Sequence, residues 1–279
     1  MILPYSQGTS VSVTRQGKKI IASVNNLSTL REDWLRMEFE LPRLNVTASY
    51  LETERSKNGI TFSDHLTSLN GLVADLKVFP RIKDINLHLP VNQQGYYRRM
   101  ILEALEAVIQ AESFFIEDRG FSSSSQYDAF WRKEFKGNCR YYSNLDRTCQ
   151  AFSQHISDQS RKHWLFSRQK DSYMEQDKNG LLIVTSSMRD SSHEMHTRCL
   201  VESSSRKVIE AAGKINRAPD RVCWETESLF CNLKDMILEP QKRTTIRETV
   251  GGPYGCSHFG NLMVETIFLI EEYSNNYLL

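Results

Sequence analysis

Apolar and polar positions along the chain form the same succession of patterns twice, once in each half. Residues 18–24 (Lys-Lys-Ile-Ile-Ala-Ser-Val) and 180–185 (Gly-Leu-Leu-Ile-Val-Thr) are short apolar runs rich in β-formers. Each is followed by a polar turn and a second extended stretch, Trp34–Glu40 and Met195–Glu202. These predict antiparallel strands on one sheet. Later in each half comes a helical period. Ile101, Leu105 and Val108 recur every three or four residues, as do Phe259, Leu262, Met263, Ile267 and Ile270. Each set predicts a helix with one core-facing stripe.

The halves superpose with almost no gaps. Ile21 falls on Ile183, Arg36 on Arg198, Val46 on Val208 and Arg55 on Arg217, all 162 positions apart. Phe62 then falls on Trp224, and after two inserted residues Leu69–Leu72 falls on Leu233–Met236. Gly95 and Gly255 both stand at the head of the last helix of their half. A repeated order of elements at a fixed spacing sets the architecture. The expected fold is therefore α+β, a tandem duplication of a small domain in which an antiparallel sheet is covered by helices, with the two copies packed as a pseudo-dimer. Residues 1–110 would be the first copy, 111–171 a linker or helical insertion, and 172–279 the second copy.

The insertion differs in character. Gly120-Phe-Ser-Ser-Ser-Ser-Gln126 reads as a turn or linker. Phe130-Trp-Arg-Lys-Glu-Phe135 and Arg140-Tyr-Tyr142 interleave aromatic and basic residues. Such a pattern can stack bases, but Arg and Lys stems also cover aromatic surface in ordinary packing. Leu145, Cys149, Phe152 and Ile156 form a helical stripe that makes Cys149 a core residue. Cys199 and Cys231 also read as core.

Composition narrows the class. Of 279 residues, 40% are apolar and 25% charged, and the net charge is +1. That is an ordinary globular composition without the basic excess expected of a nucleic-acid or anionic-membrane binder. No apolar run approaches the roughly 18 residues of a membrane span. The first ten residues lack the basic start and apolar core of a secretion signal. Six cysteines are too few for a disulfide scaffold at this length and suit reduced thiols in a cytoplasm.

One constellation carries chemistry. The second copy has His193 before a strand, Cys223 at a loop-to-helix junction, and Cys256-Ser-His258 where the last helix begins. The matching first-copy positions hold Arg31, Thr61, Tyr96 and Arg98, none of them a soft-metal ligand. A set kept in one copy and wholly replaced in the other behaves as a unit, as a ligand set does. Thiolate and imidazole suit zinc or iron, and four donors complete a tetrahedron. The dipole of the following helix is expected to lower the pKa of Cys256. The glycines of Gly251-Gly-Pro-Tyr-Gly255 permit the tight path that aims Cys256 and His258. The 33 residues between Cys223 and Cys256 fit no zinc-finger spacing. The competing reading is that the cysteines pack as small apolar groups and the histidines cap or hydrogen-bond. His196 reads as a surface residue. In the first copy, Tyr96, Tyr97, Arg98 and Arg99 would either line a cleft for an anion or form a solvated helix start.

Two resemblances attach to these residues. His193-Glu-Met195 with Arg198, Arg217-Ala-Pro219 to Cys223, Leu233 to Pro240 and Gly255-Cys-Ser-His258 resemble an uncharacterised bacterial family over about residues 172–272. That family has a His-Asp-Met-Trp type strand, a Pro-x-x-Cys loop and a Gly-Cys-Thr-His ending. His196 stands where it has Trp, and Asp235 where it has Gly. No activity follows from that resemblance. The order of ligand, strand, cysteine, helix and final Cys/His also resembles iron–sulfur scaffold proteins of the NifU/IscU type. The resemblance puts His193, Cys223 and Cys256 at metal-ligand places, although that family uses three cysteines and an Asp.

Three functions follow as expectations. The first is a protein binding zinc or iron at His193, Cys223, Cys256 and His258, for structure or for Lewis-acid catalysis with one imidazole released as acid or base. The second is an iron–sulfur or sulfur-handling accessory, including a [2Fe-2S] cluster on two Cys and two His. The third is a metal-free enzyme with Cys256 as nucleophile and His258 or His193 as base. The partner is a small molecule or another protein, not a nucleic acid or a membrane.

Overall fold

The computed structural model describes residues 4–156 and 161–277. It is a mixed α+β protein of antiparallel strands and helices. The strands are β1 (Tyr5–Gln16), β2 (Lys19–Ser28), β3 (Glu32–Glu40), β4 (Asn45–Arg55), β5 (Phe62–His65), β6 (Trp164–Gln176), β7 (Leu181–Asp190), β8 (Glu194–Glu202) and β9 (Val208–Arg217). The helices are α1 (Phe79–Ile82), α2 (Val91–Ala111), α3 (Ser124–Glu134), α4 (Arg140–Ser143), α5 (Phe152–Ile156), α6 (Arg243–Val250) and α7 (Ser257–Tyr277). A long 3-10 segment runs over Arg221–Leu233.

The chain divides into two compact units. The N-terminal unit comprises Gly8–Tyr127 and Asp158–Gln169, and the C-terminal unit Met1–Gln7, Asp128–Ser157 and Lys170–Leu279. The segment read as an insertion thus divides between them at 127/128. In the N-terminal unit the strand order is β5-β4-β3-β2-β1, and α2 packs on β2 and β3. In the C-terminal unit the order is β6-β7-β8-β9, and α7 packs on β7 and β8. The stripes predicted from periodicity face these sheets. Ile101, Leu105 and Val108 on α2 are buried, as are Phe259, Leu262, Met263, Ile267 and Ile270 on α7.

Backbone detail recurs between the units. The β3–β4 ladder begins at Glu32↔Arg55 and shifts register after Glu32 and after Glu38. The β8–β9 ladder begins at Glu194↔Arg217 and shifts after Glu194 and after Leu200, each event 162 positions later. Leu44 and Arg206, at the same spacing, both take left-handed backbone with φ 58° and 57°. Gly71 and Asp235, two residues further out of step, have φ 81° and 66°. Asp235 therefore keeps the turn that a glycine makes in the other unit, at the cost of a conformation L-residues avoid.

Strands β1 and β6 carry no apolar run. In β6 the inward positions include Arg168 and Lys170, which are 3% and 4% exposed. Arg168 pairs with Glu103 and Glu106 of α2, and Lys170 with Glu265 of α7. Paired charges therefore occupy inward positions.

Two cysteines expected in the core lie on the surface. Cys149 is exposed because residues 144–151 do not extend the helix, which covers only Phe152–Ile156. Its N–H donates to Asp220 Oδ2 at 2.6 Å, and Gln150 Nε2 donates to Pro219 O, so the loop is bonded outward from a helical path. Cys231 is exposed because its segment is 3-10. A period of three puts it on one ridge with the exposed Glu225 and Ser228. Thr226 Oγ1, Ser228 Oγ and Cys231 Sγ each donate to the carbonyl three residues back, which reinforces that winding. Cys199 is buried on β8 as expected, and His196 is exposed there. The aromatic residues of 130–142 pack edge to face, with Trp131–Phe135 centroids 4.8 Å apart and Tyr141–Tyr142 4.9 Å apart. Among the described residues no helix is long and apolar enough to cross a membrane.

Candidate metal centre

The turn from β7 to β8 is built around Asp190. Its Oδ1 accepts the N–H groups of Ser192 at 2.8 Å and His193 at 2.7 Å, and lies 3.2 Å from His193 Nδ1. Arg217 on β9 donates to the carbonyls of Asp190, Ser191 and His193, which clamps the turn from the neighbouring strand. The His193 ring is thereby held at the strand end. His155 on α5 adjoins the turn, with Nε2 3.2 Å from Ser192 O. Burial holds the pKa of His155 below its ordinary value.

The second wall is the start of α7. Cys256 N–H donates to Val250 O at 2.8 Å, and its carbonyl accepts Gly260 N–H at 3.0 Å. Cys256 Sγ lies 3.9 Å from His258 Nδ1. The His258 and His193 rings face each other with centroids 4.1 Å apart. One ligand atom from each of Asp190, His193 and His258 lies within 4.8 Å of the others.

The structure thus brings His193, Cys256 and His258 into one cluster. Cys223 lies in the 3-10 segment, where it is buried and its N–H donates to Asp220 O. Neither Cys223 nor Cys256 belongs to the 4.8 Å group, which Cys256 adjoins through His258. Asp190 was not anticipated, although an Asp followed by two serines between strands is the composition of an Asx turn. Cys139, the residue before α4, is a further thiol of the C-terminal unit.

The expected depression of the Cys256 pKa does not occur. The backbone N–H groups of Phe259 and His258 do favour its thiolate, but burial outweighs them and pushes the thiol up to about 12. Cys223 is pushed up to about 12 as well, first by burial and then by the charges of Cys256 and Cys139. Without a cation these buried sulfurs stay protonated.

The matching place in the N-terminal unit is closed. Arg31 stands at the position of His193 and Tyr96 at that of Cys256. Asp33, fully buried, accepts from Arg31 Nε and Nη2 at 3.1 Å, Tyr96 Oη at 2.6 Å and Thr53 Oγ1 at 2.5 Å. Tyr97 Oη completes the network at 3.3 Å. The tyrosines are therefore committed to a buried carboxylate, and Arg98 donates to Ile85 O and Gln94 Oε1. Tyr96, Tyr97 and Arg98 are thus engaged within the unit, whereas one sequence expectation had them, with Arg99, lining a cleft for an anion.

A family model described as "Protein of unknown function (DUF2889)" matches residues 162–268. That span carries β6 to β9, the 3-10 segment and the first half of α7, hence Asp190, His193, Cys223, Cys256 and His258. Cys139 lies outside it. No curated protein matches the chain.

Proposed function

We propose that the C-terminal unit binds zinc or iron through His193, Cys223, Cys256 and His258, with Asp190 orienting the first of these. The observation that carries the reading is the convergence of the Asp190, His193 and His258 ligand atoms within 4.8 Å, with Cys256 Sγ 3.9 Å from His258 Nδ1. Sulfur and nitrogen donors on one tetrahedral zinc sit about 3.6 Å apart, so the last pair needs to close by only a few tenths of an ångström. A carboxylate on the far nitrogen of a ligating histidine fixes its tautomer and raises its basicity. Asp190 stands in that relation to His193 Nδ1, leaving Nε2 to face the ion. Bound there, a divalent ion would act as a structural clamp or a Lewis acid.

The donor set suits zinc, mononuclear iron, or a two-iron cluster on two Cys and two His. An iron–sulfur or sulfur-handling role is the second reading, favoured by the number of thiols in the unit. A metal-free Cys256 nucleophile is the weaker alternative, because a thiol pushed up to about 12 carries little thiolate at neutral pH. Reduced thiols of this kind fit a cytoplasmic setting.

We also infer that the two units descend from one duplicated domain, of which only the C-terminal copy keeps the donors. The support is the shared spacing of the bulges and left-handed residues.

Elemental analysis and a visible spectrum of anaerobically purified protein test the metal reading. One zinc per chain without colour supports the first form, and a brown sample with iron and sulfide the second. Cys223→Ser is expected to lose the ion in both. A metal-free protein that takes up neither zinc nor iron, and in which Cys256 labels rapidly, overturns both.

A further inference from the structure

We propose that the open edge of β9 in the C-terminal unit is a docking site for an extended acidic segment of a partner protein, which adds to the sheet as one more antiparallel strand. The inference is independent of the metal reading and rests on the backbone that the two units share.

β9 is the last strand in the sheet order, so one of its edges faces no strand. Ile215 N–H points to that edge, because it donates to Glu227 Oε1 at 2.8 Å. Strand N–H groups alternate in direction, and the β8–β9 register runs without a shift from Ala211 to Ile215. Ala211 and Gly213 therefore turn their N–H and C=O groups to the same edge, where no hydrogen bond from another described residue meets them. Further back Val208 is taken, since its N–H donates to Met236 O and its carbonyl accepts Asp235 N–H. The gap lies between these two caps.

The N-terminal unit shows what fits such a gap. At the shared spacing of 162, Ala212–Ile215 falls on Tyr50–Thr53 of β4. There β5 pairs antiparallel with Tyr50–Thr53, and Leu66 N–H donates to Ser49 O at 3.0 Å. The flanking bridge is present in both units, as Asn45↔Val73 and Lys207↔Ile237, so it leaves room for a strand of four residues. The residues that match β5 are Trp224–Glu227, and they wind into the 3-10 segment instead. An unpaired edge of this kind is a template for another chain.

Charge selects the chain. In the N-terminal unit Arg36 donates to Glu38 on its own strand. Its match, Arg198, has Leu200 at that place and no carboxylate partner among the described residues. Arg198 is exposed directly opposite Ala212, and His196 is exposed opposite Lys214. Lys214 lies 3.3 Å from Glu227 yet keeps 57% of its side chain exposed. Glu210, the acid on that face of β9, pairs with Leu200 and falls outside the span of four. The rings of Tyr50 and His65 fill the matching place in the N-terminal unit, with centroids 4.0 Å apart. Ala212 is too short to do so and leaves the path to Arg198 open. A strand paired as β5 is sets alternate side chains beside Ala212 and Lys214, where carboxylates meet cations.

The test titrates a short capped peptide alternating Thr and Asp into the full-length protein, with a peptide alternating Thr and Lys as control. Hydrogen exchange of the Ala211 and Gly213 amides is followed by NMR. The Asp peptide is expected to slow both amides about tenfold and to bind about tenfold more tightly than the Lys peptide. Ala211→Pro lacks the N–H and is expected to weaken binding of the Asp peptide about fivefold. Should that variant fail to fold, Arg198→Glu, a change on the exposed face, decides; it is expected to abolish the preference for the Asp peptide. Unchanged exchange of both amides in the presence of the Asp peptide overturns the proposal, as does equal binding of the two peptides. Amides already protected in the peptide-free protein, with a dimer in sedimentation, also overturn it by giving the edge to a second copy.

Discussion

Gly255→Ala should break the site without touching a donor. Gly255 has φ −125°, extended backbone open to any residue, so its need for glycine is not conformational. The need is proximity. A Cβ there would lie 2.2 Å from Val250 O, 2.4 Å from Val250 C and 2.5 Å from Gly251 O, all backbone atoms. Relief requires a shift of about 1 Å in a packed turn. Two hydrogen bonds cross that turn, Cys256 N–H to Val250 O and Arg140 N–H to Gly255 O, both 2.8 Å. Leaving a buried donor or acceptor unpaired costs about 1–3 kcal/mol. The expected loss is thus about 2–4 kcal/mol in urea unfolding of the metal-free protein. Zinc affinity, measured by competition with a chromophoric chelator, should fall about 10- to 100-fold, as for loss of an orienting partner. Gly252→Ala is the control. It has φ +67° and nothing within 4 Å of its Cβ, so it should cost about 1–2 kcal/mol and leave zinc affinity intact. A Gly255→Ala protein within about 0.5 kcal/mol of wild type, with unchanged affinity, would refute the close-approach argument.

Three further outcomes are expected. Asp33→Ala leaves Arg31 without its buried partner and should cost about 3–5 kcal/mol in urea unfolding, with metal content unchanged; an effect under about 1 kcal/mol would show the network to be replaceable. Asp190→Asn keeps an acceptor for the Ser192 and His193 N–H groups but loses the charge facing His193, so zinc affinity should fall about 10- to 100-fold while far-ultraviolet dichroism stays the same. His155 has a folded pKa below its ordinary value, so the unfolded chain binds its proton first and stability drops as pH falls below about 6.5; the difference in unfolding free energy between pH 7.5 and 5.5 should shrink in His155→Gln, and an unchanged difference would exclude His155 as its source.

Strands β2, β3, β7 and β8 were legible because apolar residues alternate along them, and α2 and α7 because their stripes are purely apolar. Strands β1 and β6 were not, for a physical reason visible in β6. Its core-facing positions include Arg168 and Lys170, whose charges are compensated by glutamates on α2 and α7. A pattern argument that sorts charge outward misses such a strand. The surface placement of Cys149 and Cys231 depended on hydrogen bonds from distant residues and on a three-residue winding, neither written in periodicity. His193, Cys223, Cys256 and His258 stood out because the other half lacks them. Asp190 did not, because its counterpart Ser28 does the same local work: Ser28 Oγ accepts the N–H groups of Leu30 and Arg31, as Asp190 Oδ1 accepts those of Ser192 and His193.

That shared turn bears on what metal removal should do. In the N-terminal unit the same backbone, with the same clamp from Arg55 onto the Ser28 and Arg31 carbonyls, stands with no donor cluster at the matching place. The frame that presents His193 is therefore expected to be self-supporting, since strand pairing, a side-chain cap and the Arg55 clamp form in the N-terminal unit around Arg31 and Tyr96, which are not soft-metal ligands. A zinc finger, whose core is too small to fold alone, collapses when stripped. Here α7 buries Phe259, Leu262, Met263, Ile267 and Ile270, an apolar contact that needs no ion. Chelation should accordingly leave far-ultraviolet dichroism and cooperative unfolding in place. It should lower stability only by the linkage amount, about 2.7 kcal/mol when free metal had been held 100-fold above Kd. Loss of secondary structure in the C-terminal unit on chelation would mean that the ion, and not the sheet, holds the turn.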